Sequence, residues 1–426
     1  MGLRETESAE RYAAFVAGLG SAMENRVRGR RLQEYCTGLL LPCERKSVEP
    51  MAAKLAPART SAEHQALLHF INEADWSDAD VLAKVREFVQ PAIERHERIE
   101  ALIIDDTSFP KKGKHSVGVA RQYCGQLGKQ ENCQVAVSLS IANHHASLPI
   151  DYRLYLPKDW AEDKQRRKKA KVPQEIRFQT KPEIALDQLR RACEANIPRG
   201  VVLADPAYGN DARFRLGVTA LELRYAVGIQ SNLLVWPPGA MVRRPNRRMN
   251  NAGRRDEPEL VSVRELAFDL PKKAWCEIQW REGSADWLSS RFARVRVRPA
   301  QTYLPPKQIS KEWLLIEWPE GEAEPAKYWL STLPANIAFR RLVDVAKLRW
   351  RIERDYLELK QEIGLGHYEG RGWIGFHHHA TMSIAAYGFL AAEAAAIPPS
   401  GPTTAAFLKA PAVPETYRPR GSPVAA

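Results

Sequence analysis

The sequence predicts an α/β protein, and three observations carry that prediction. Two short apolar runs, at 101–106 and 201–205, end in acids and read as buried strands. Between them, Val-rich alternating stretches are followed by an amphipathic helical pattern, which gives a meander, a helix and a further strand. Residues 1–97, by contrast, repeat their apolar positions at helical spacing throughout.

In the first 97 residues the helical spacing is clearest in ERYAAFVAGLGSAM, EYCTGLLLP and the stretch from Ser61 to His96. Ser77 or Asp78 is placed to cap the helix carrying Val81, Leu82, Val85 and Phe88. The texture changes near residue 99. IEALIIDDTSF reads as a strand, followed by SVGVARQYCG, NCQVAVSLSIANH and ASLPIDYRLYLP, with turn residues between them. After a basic stretch at 158–171, KPEIALDQLRRACEANI has the apolar stripe of a helix, and GVVLADPAYG is the next strand. From 222 to 335 further strand-like segments alternate with turns, and seven tryptophans from Trp236 to Trp329 concentrate there. One long helix is expected from Phe339 to Ile363 and another from Phe376 to Ala396. Residues 397–426, rich in Pro, Ala and Ser, read as a flexible tail.

Composition narrows the function classes. A chain of 426 residues with 44% hydrophobic residues can bury at least one large core. Its 63 Lys and Arg against 51 Asp and Glu give a net charge of +12, which favours a polyanionic partner. The six cysteines form no C-x-x-C pair, so a zinc site is not expected and the thiols read as reduced. The N-terminus lacks the apolar run of a signal peptide, and no stretch approaches membrane-spanning length. A cytoplasmic protein with no membrane partner is the expectation. A phosphate-metabolising hydrolase is disfavoured because no Gly-rich phosphate loop is present.

The chemistry is carried by carboxylates. Asp105–Asp106 and Asp205 each close a strand-like run and precede turn residues. Acids held at strand ends repel one another unless a cation neutralises them, and hard carboxylate oxygens suit Mg²⁺ or Mn²⁺. A strand-ending Asp that merely caps the next turn is the plainer reading of each. In the C-terminal helix, Arg349, Glu353, Tyr356 and Lys360 fall at spacings of 4, 3 and 4 and so line one face. A surface helix laced with ion pairs would show the same pattern.

Taken in order, IIDDT, LADPAYG and R-W-R-I-E-x6-K resemble the DDE transposases of bacterial insertion sequences. The closer likeness is to the branch with a Tyr-x2-Arg-x3-Glu-x6-Lys signature. Arg349, Glu353 and Lys360 match it, and Ala346 stands at the Tyr position. TSFPKKGKHSVGVARQYCG, RLYLPKDW and GLGHYEGRGW are also family-like. The resemblance implies an RNase H-like catalytic core, with a helical N-terminal domain and a β-rich insertion between the second Asp and the Glu. The divisions would be a DNA-binding domain at 1–97, core segments at 98–221 and 336–396, the insertion at 222–335 and the tail at 397–426. The 148-residue step from Asp205 to Glu353 has room for that insertion.

The resemblance further implies that Asp106, Asp205 and Glu353 bind two Mg²⁺ ions, for which Mn²⁺ can substitute. Asp106 is favoured over Asp105 because it directly precedes Thr107. Arg349, Lys360 and Tyr356 would contact DNA or its phosphates, although simple packing is an equal reading of Tyr356. The enzyme would act on double-stranded DNA, cutting the terminal inverted repeats of its own element and joining the 3′-OH to target DNA, as a dimer on DNA and at the nucleoid. An endonuclease without strand transfer and a non-catalytic DNA-binding derivative are the alternatives. Three further features stay open. Most of the tryptophans read as core, although one could stack on a flipped base. The run His377–His378–His379 reads as a helix start near DNA or solvent rather than a metal cluster, because consecutive helical residues diverge. The basic segments 164–171 and 243–255 read as flexible loops that grip the DNA backbone or as solvated charge.

Overall fold

A computed structural model describes residues 3–240, 260–281, 287–301, 303–304 and 308–396. The tail at 397–426 and the basic segment 243–255 lie outside them. The chain is a mixed α/β protein and divides into two compact units. The first comprises residues 1–99, 106–180 and 351–426, and the second residues 100–105 and 181–350. The chain passes from the second to the first within one strand, at the peptide between Asp105 and Asp106.

The first unit begins with five helices, α1 (Leu3–Gly20), α2 (Arg26–Leu40), α3 (Val48–Leu55), α4 (Thr60–Asn72) and α5 (Asp78–Ile93). Ser77 is the cap of α5, its side chain accepting from the Asp80 N–H at 3.1 Å. The strand β1 (Ala101–Pro110) leads into an antiparallel meander of β2 (Ala120–Cys124), β3 (Lys129–Ala142) and β4 (Ser147–Leu154). Two short helices follow, α6 (Lys158–Glu162) and α7 (Lys164–Lys169). The basic stretch 164–171 is therefore not a flexible loop. Asp163 caps α7, and Arg167 donates to the carbonyls of Ile176 (2.8 Å) and Pro173 (2.9 Å), which closes the turn after it.

The second unit continues with α8 (Lys181–Glu194), β5 (Val201–Ala204), α9 (Pro206–Gly209), α10 (Ala212–Ala220) and β6 (Tyr225–Ile229). Then come β7 (Leu234–Trp236), β8 (Val261–Ser262), α11 (Val263–Asp269), β9 (Trp275–Arg281), β10 (Trp287–Pro299), β11 (Glu312–Trp318), β12 (Lys327–Ser331) and α12 (Phe339–Lys347). The start of β1 pairs in parallel with β5, and β5 in parallel with β6. From β6 the sheet turns antiparallel through β12, β11 and β10, with β9 and β7 both on β10 and β8 on β7. This mixed sheet, its parallel strands joined by helices, is compatible with an RNase H-like core.

The chain closes in the first unit with α13 (Trp350–Gln361) and α14 (Trp373–Ala396). The single helix expected over 339–363 is thus interrupted at Leu348 and Arg349, where neither Pro nor Gly occurs. The Leu348 N–H is shared between the Asp344 and Val345 carbonyls, at 3.1 and 3.2 Å. That bifurcation tightens the last turn of α12 before the chain resumes as α13. Helix α14 buries 18 of its 24 residues, so it lacks the polar stripe of a surface helix.

Candidate active site

In the second unit the register Ala101↔Val201, Leu102↔Val202, Ile103↔Leu203, continued by two residues, brings Asp105 level with Asp205. Asp205 thus lies just past the C-terminal end of β5, whereas Asp105 lies within β1, which continues through Asp106 to Pro110, so the strand end expected at Asp105–Asp106 is not observed. Asp105, Asp106 and Asp205 are all half-buried. The Asp205 backbone remains extended, and its Oδ1 accepts from the Ala207 N–H at 2.9 Å, so the capping role is real. Pro206 then occupies the first helical position, where a missing N–H costs nothing. Gly209 closes the motif for a steric reason. A Cβ there would lie 1.9 Å from the Gly228 carbonyl oxygen, so α9 can sit on β6 only through glycine.

A second support for this motif was not read from the sequence. Arg215, on α10, is buried at 4% exposure and its Nη1 donates to the Gly209 carbonyl at 2.5 Å. It interacts with half-buried Glu312 and buried Tyr225; desolvation pushes the Glu312 carboxyl up and Arg215 opposes that shift. The available signal was a charged residue flanked by Phe214 and Val218 on the packed face of a short helix.

Asp105 and Asp106 are neighbours on a strand, so their side chains leave opposite faces. The Asp105 carboxylate accepts from Arg349 at 3.0 Å, with the two side chains 15% and 25% exposed. Arg349, expected on the face of a continuous helix, instead lies in the turn between α12 and α13.

In the first unit α13 carries Glu353, Tyr356 and Lys360 at i, i+3 and i+7. Glu353 is exposed. Tyr356 is 6% exposed and its hydroxyl donates to the Ser138 hydroxyl on β3, which is the packing role rather than a surface contact. Lys360 is half-buried, donates to the Ser108 carbonyl at 2.8 Å and lies over the Phe109 ring. The same strand that bears Asp106 is thus held by the helix that bears Glu353. Ala346, at the Tyr position of the signature, is buried on α12.

The His run is corrected most clearly. His377, His378 and His379 are 7%, 4% and 2% exposed, so they face neither DNA nor solvent. His379 Nδ1 meets the Tyr35 hydroxyl at 2.8 Å and its Nε2 the Gly364 carbonyl at 3.0 Å, a pattern that fits a neutral ring donating from Nε2. His377 accepts from the Leu154 N–H, and His378 stacks on Trp76 at 3.6 Å. Burial pushes His378 and His379 down to about 4. Divergent directions, which rule out one shared metal, here reach three different neighbours.

The other basic and aromatic features divide between structure and surface. Arg30 and Arg31 pair with the buried Glu34, Arg31 also with Glu63, and Arg28 with Glu24. Trp236, Trp280, Trp313 and Trp329 are core, whereas Trp275 and Trp318 are half-buried and meet edge to face at 5.3 Å. The Trp287 side chain lies outside the described residues.

A family model described as DDE superfamily endonuclease matches residues 17–286. It takes in Asp105, Asp106 and Asp205 and ends before Glu353. Over 170 residues the chain is 31% identical to a probable transposase for insertion sequence element IS701 from Microchaete diplosiphon. That stretch is 39% of this chain and 41% of the relative, so the chain spans about two-fifths of the length of the curated relative it matches.

Proposed function

Because the chain belongs to the DDE superfamily endonucleases, we propose that it is a DNA transposase that cuts and rejoins phosphodiesters with Asp106, Asp205 and Glu353 as its essential carboxylates. The observation that carries the proposal is the parallel pairing of β1 with β5, whose register sets Asp105, within β1 and next to Asp106 in the chain, level with Asp205, just past the end of β5. The donor set fits a hard divalent ion: the three residues offer carboxylate oxygens only, and two of them are half-buried, Asp106 within β1 and Asp205 just past the end of β5. Bound there, two Mg²⁺ ions would activate the attacking oxygen and stabilise the leaving one.

The chain's own residues hold the geometry. Gly209 and Arg215 fix the turn that presents Asp205. Lys360 ties α13 to β1, and Tyr356 sets the rotation of α13 through Ser138. Asp105 holds Arg349, and Asp106 is assigned to the metal ions, with Asp105 as the alternative ligand. In the first step water attacks the phosphorus at an element end, the bond to the 3′ oxygen breaks and a 3′-OH is freed. In the second that 3′-OH attacks a target phosphodiester and displaces a target 3′ oxygen. Both are in-line displacements, so one set of acids serves both. The terminal inverted repeats, and a dimer that brings two ends together, belong to the same proposal.

A cleavage and joining assay on duplexes carrying the element's ends tests it, comparing wild type with Asp205→Ala and Glu353→Ala. Wild type should cut and join with Mg²⁺ and do neither with chelator, while both variants bind DNA and remain inert. Cutting without joining would favour the endonuclease alternative, and a wild type that binds but never cuts would favour the non-catalytic one. Active variants would overturn the assignment of the acids.

A further inference from the structure

Three stretches remote in sequence, 111–119, 164–171 and 370–373, carry ten Lys and Arg and no Asp or Glu. All belong to the first unit, and the fold joins them directly. The Val117 N–H donates to the Arg371 carbonyl at 3.0 Å and the Trp373 N–H to the Ala170 carbonyl at 2.8 Å. Trp160, just before α7, donates from its indole to the Val119 carbonyl at 2.8 Å.

Some of these cations have structural work. Lys111 donates to the Tyr368 carbonyl at 3.0 Å, Arg166 stacks over Trp160 at 3.7 Å, Arg167 closes its own turn, and Lys171 pairs with Glu73. Those contacts make the surface rigid. Lys112, Lys114, Lys168, Lys169 and Arg371 are exposed upon it. Gathering like charges from three segments raises their mutual repulsion, and a polyanion removes that penalty by displacing its counterions.

The geometry points to Lys112, Lys114, Lys168, Lys169 and Arg371 as one preformed phosphate-binding surface for duplex DNA, an inference that rests on the transposase reading for its choice of polyanion. The first stretch continues directly from β1, so the surface is anchored to the strand that bears Asp106. It contacts phosphates, since four of its five cations are lysines, compact point charges suited to phosphate oxygens.

The test is equilibrium binding of the full chain to a labelled duplex between 50 and 200 mM salt. Two double variants, Lys112→Ala/Lys114→Ala and Lys168→Ala/Lys169→Ala, are compared with Lys54→Ala, an exposed lysine on α3. Each double variant should lower the slope of log K against log salt by about 1–2, as expected for one or two lost phosphate contacts. The melting temperature should match wild type, so that the change in slope does not reflect lost folding. Slopes and affinities equal to wild type would overturn the surface. So would a wild type that ignores duplex DNA but binds anionic lipid vesicles through the same lysines. If wild type binds with the expected slopes yet never cleaves, the surface stands and the catalytic reading fails.

Discussion

Replacing Asp105 by Asn would remove the carboxylate charge that the Arg349 guanidinium meets at 3.0 Å, in a site only a quarter exposed. That should cost about 1–2 kcal/mol, between the values for surface and buried pairs. Metal-dependent cleavage should survive it. Asp106→Asn should do the reverse, lowering cleavage on the order of 100-fold or more while the melting temperature stays near wild type. Thermal denaturation beside single-turnover cleavage distinguishes the two, and an inactive, fully stable Asp105→Asn would exchange the roles. Gly209→Ala makes a harsher local demand, because its Cβ would overlap the Gly228 carbonyl. Overpacking of this kind costs about 1–3 kcal/mol, read as a lowered denaturation midpoint, and cleavage should fall as Asp205 is displaced. The strands that carry or precede these acids were legible from apolar runs and a shared order of phrases, although β1 extends past the acids that were expected to end it. The supports of the acids were not legible: a carbonyl 1.9 Å from a missing Cβ, or an arginine beneath a turn, is a tertiary fact with only a faint local trace.

Among the elements, α14 combines burial with polar fastening, and its histidines predict a pH dependence. Burial holds His378 and His379 near 4, below the ordinary 6.5, so as pH falls the unfolded chain takes up protons first. Stability from these two rings is fully present above about pH 6.5 and declines as pH falls from there towards about 4. His379→Gln should lower the melting temperature at pH 7 and flatten its fall between pH 6.5 and 4; an unchanged slope would mean the ring is not held neutral. Apolar patterning located α14, by its helix-length apolar run, and the meander, by its Val-rich alternation. It failed at Leu348–Arg349, where the break comes from a shared backbone acceptor that residue types do not encode. It also misjudged 164–171, since charge alone suggested mobility and the carbonyls that pin Arg167 lie several residues downstream.

Across the whole molecule, the first unit is assembled from three separate stretches of chain and the second from two. Truncation after Gln361 should therefore do more than shorten the protein. It removes α14 and with it the buried contacts to Tyr35, Trp76 and Leu154. Such a chain should lose its cooperative unfolding transition and become protease-sensitive from the N-terminal helices onward; a sharp, native-like transition would show that α14 is dispensable. Composition could anticipate the basic character of the molecule, whereas the convergence of 111–119, 164–171 and 370–373 needed the fold. The buried His run carries one practical corollary. A sequence with three adjacent imidazoles invites purification on immobilised nickel, yet the native protein should flow through such a resin without retention on their account. Dissolved in strong denaturant, the same chain should be held and should elute with imidazole, so that chromatographic retention becomes a simple report of whether the C-terminal helix is in place.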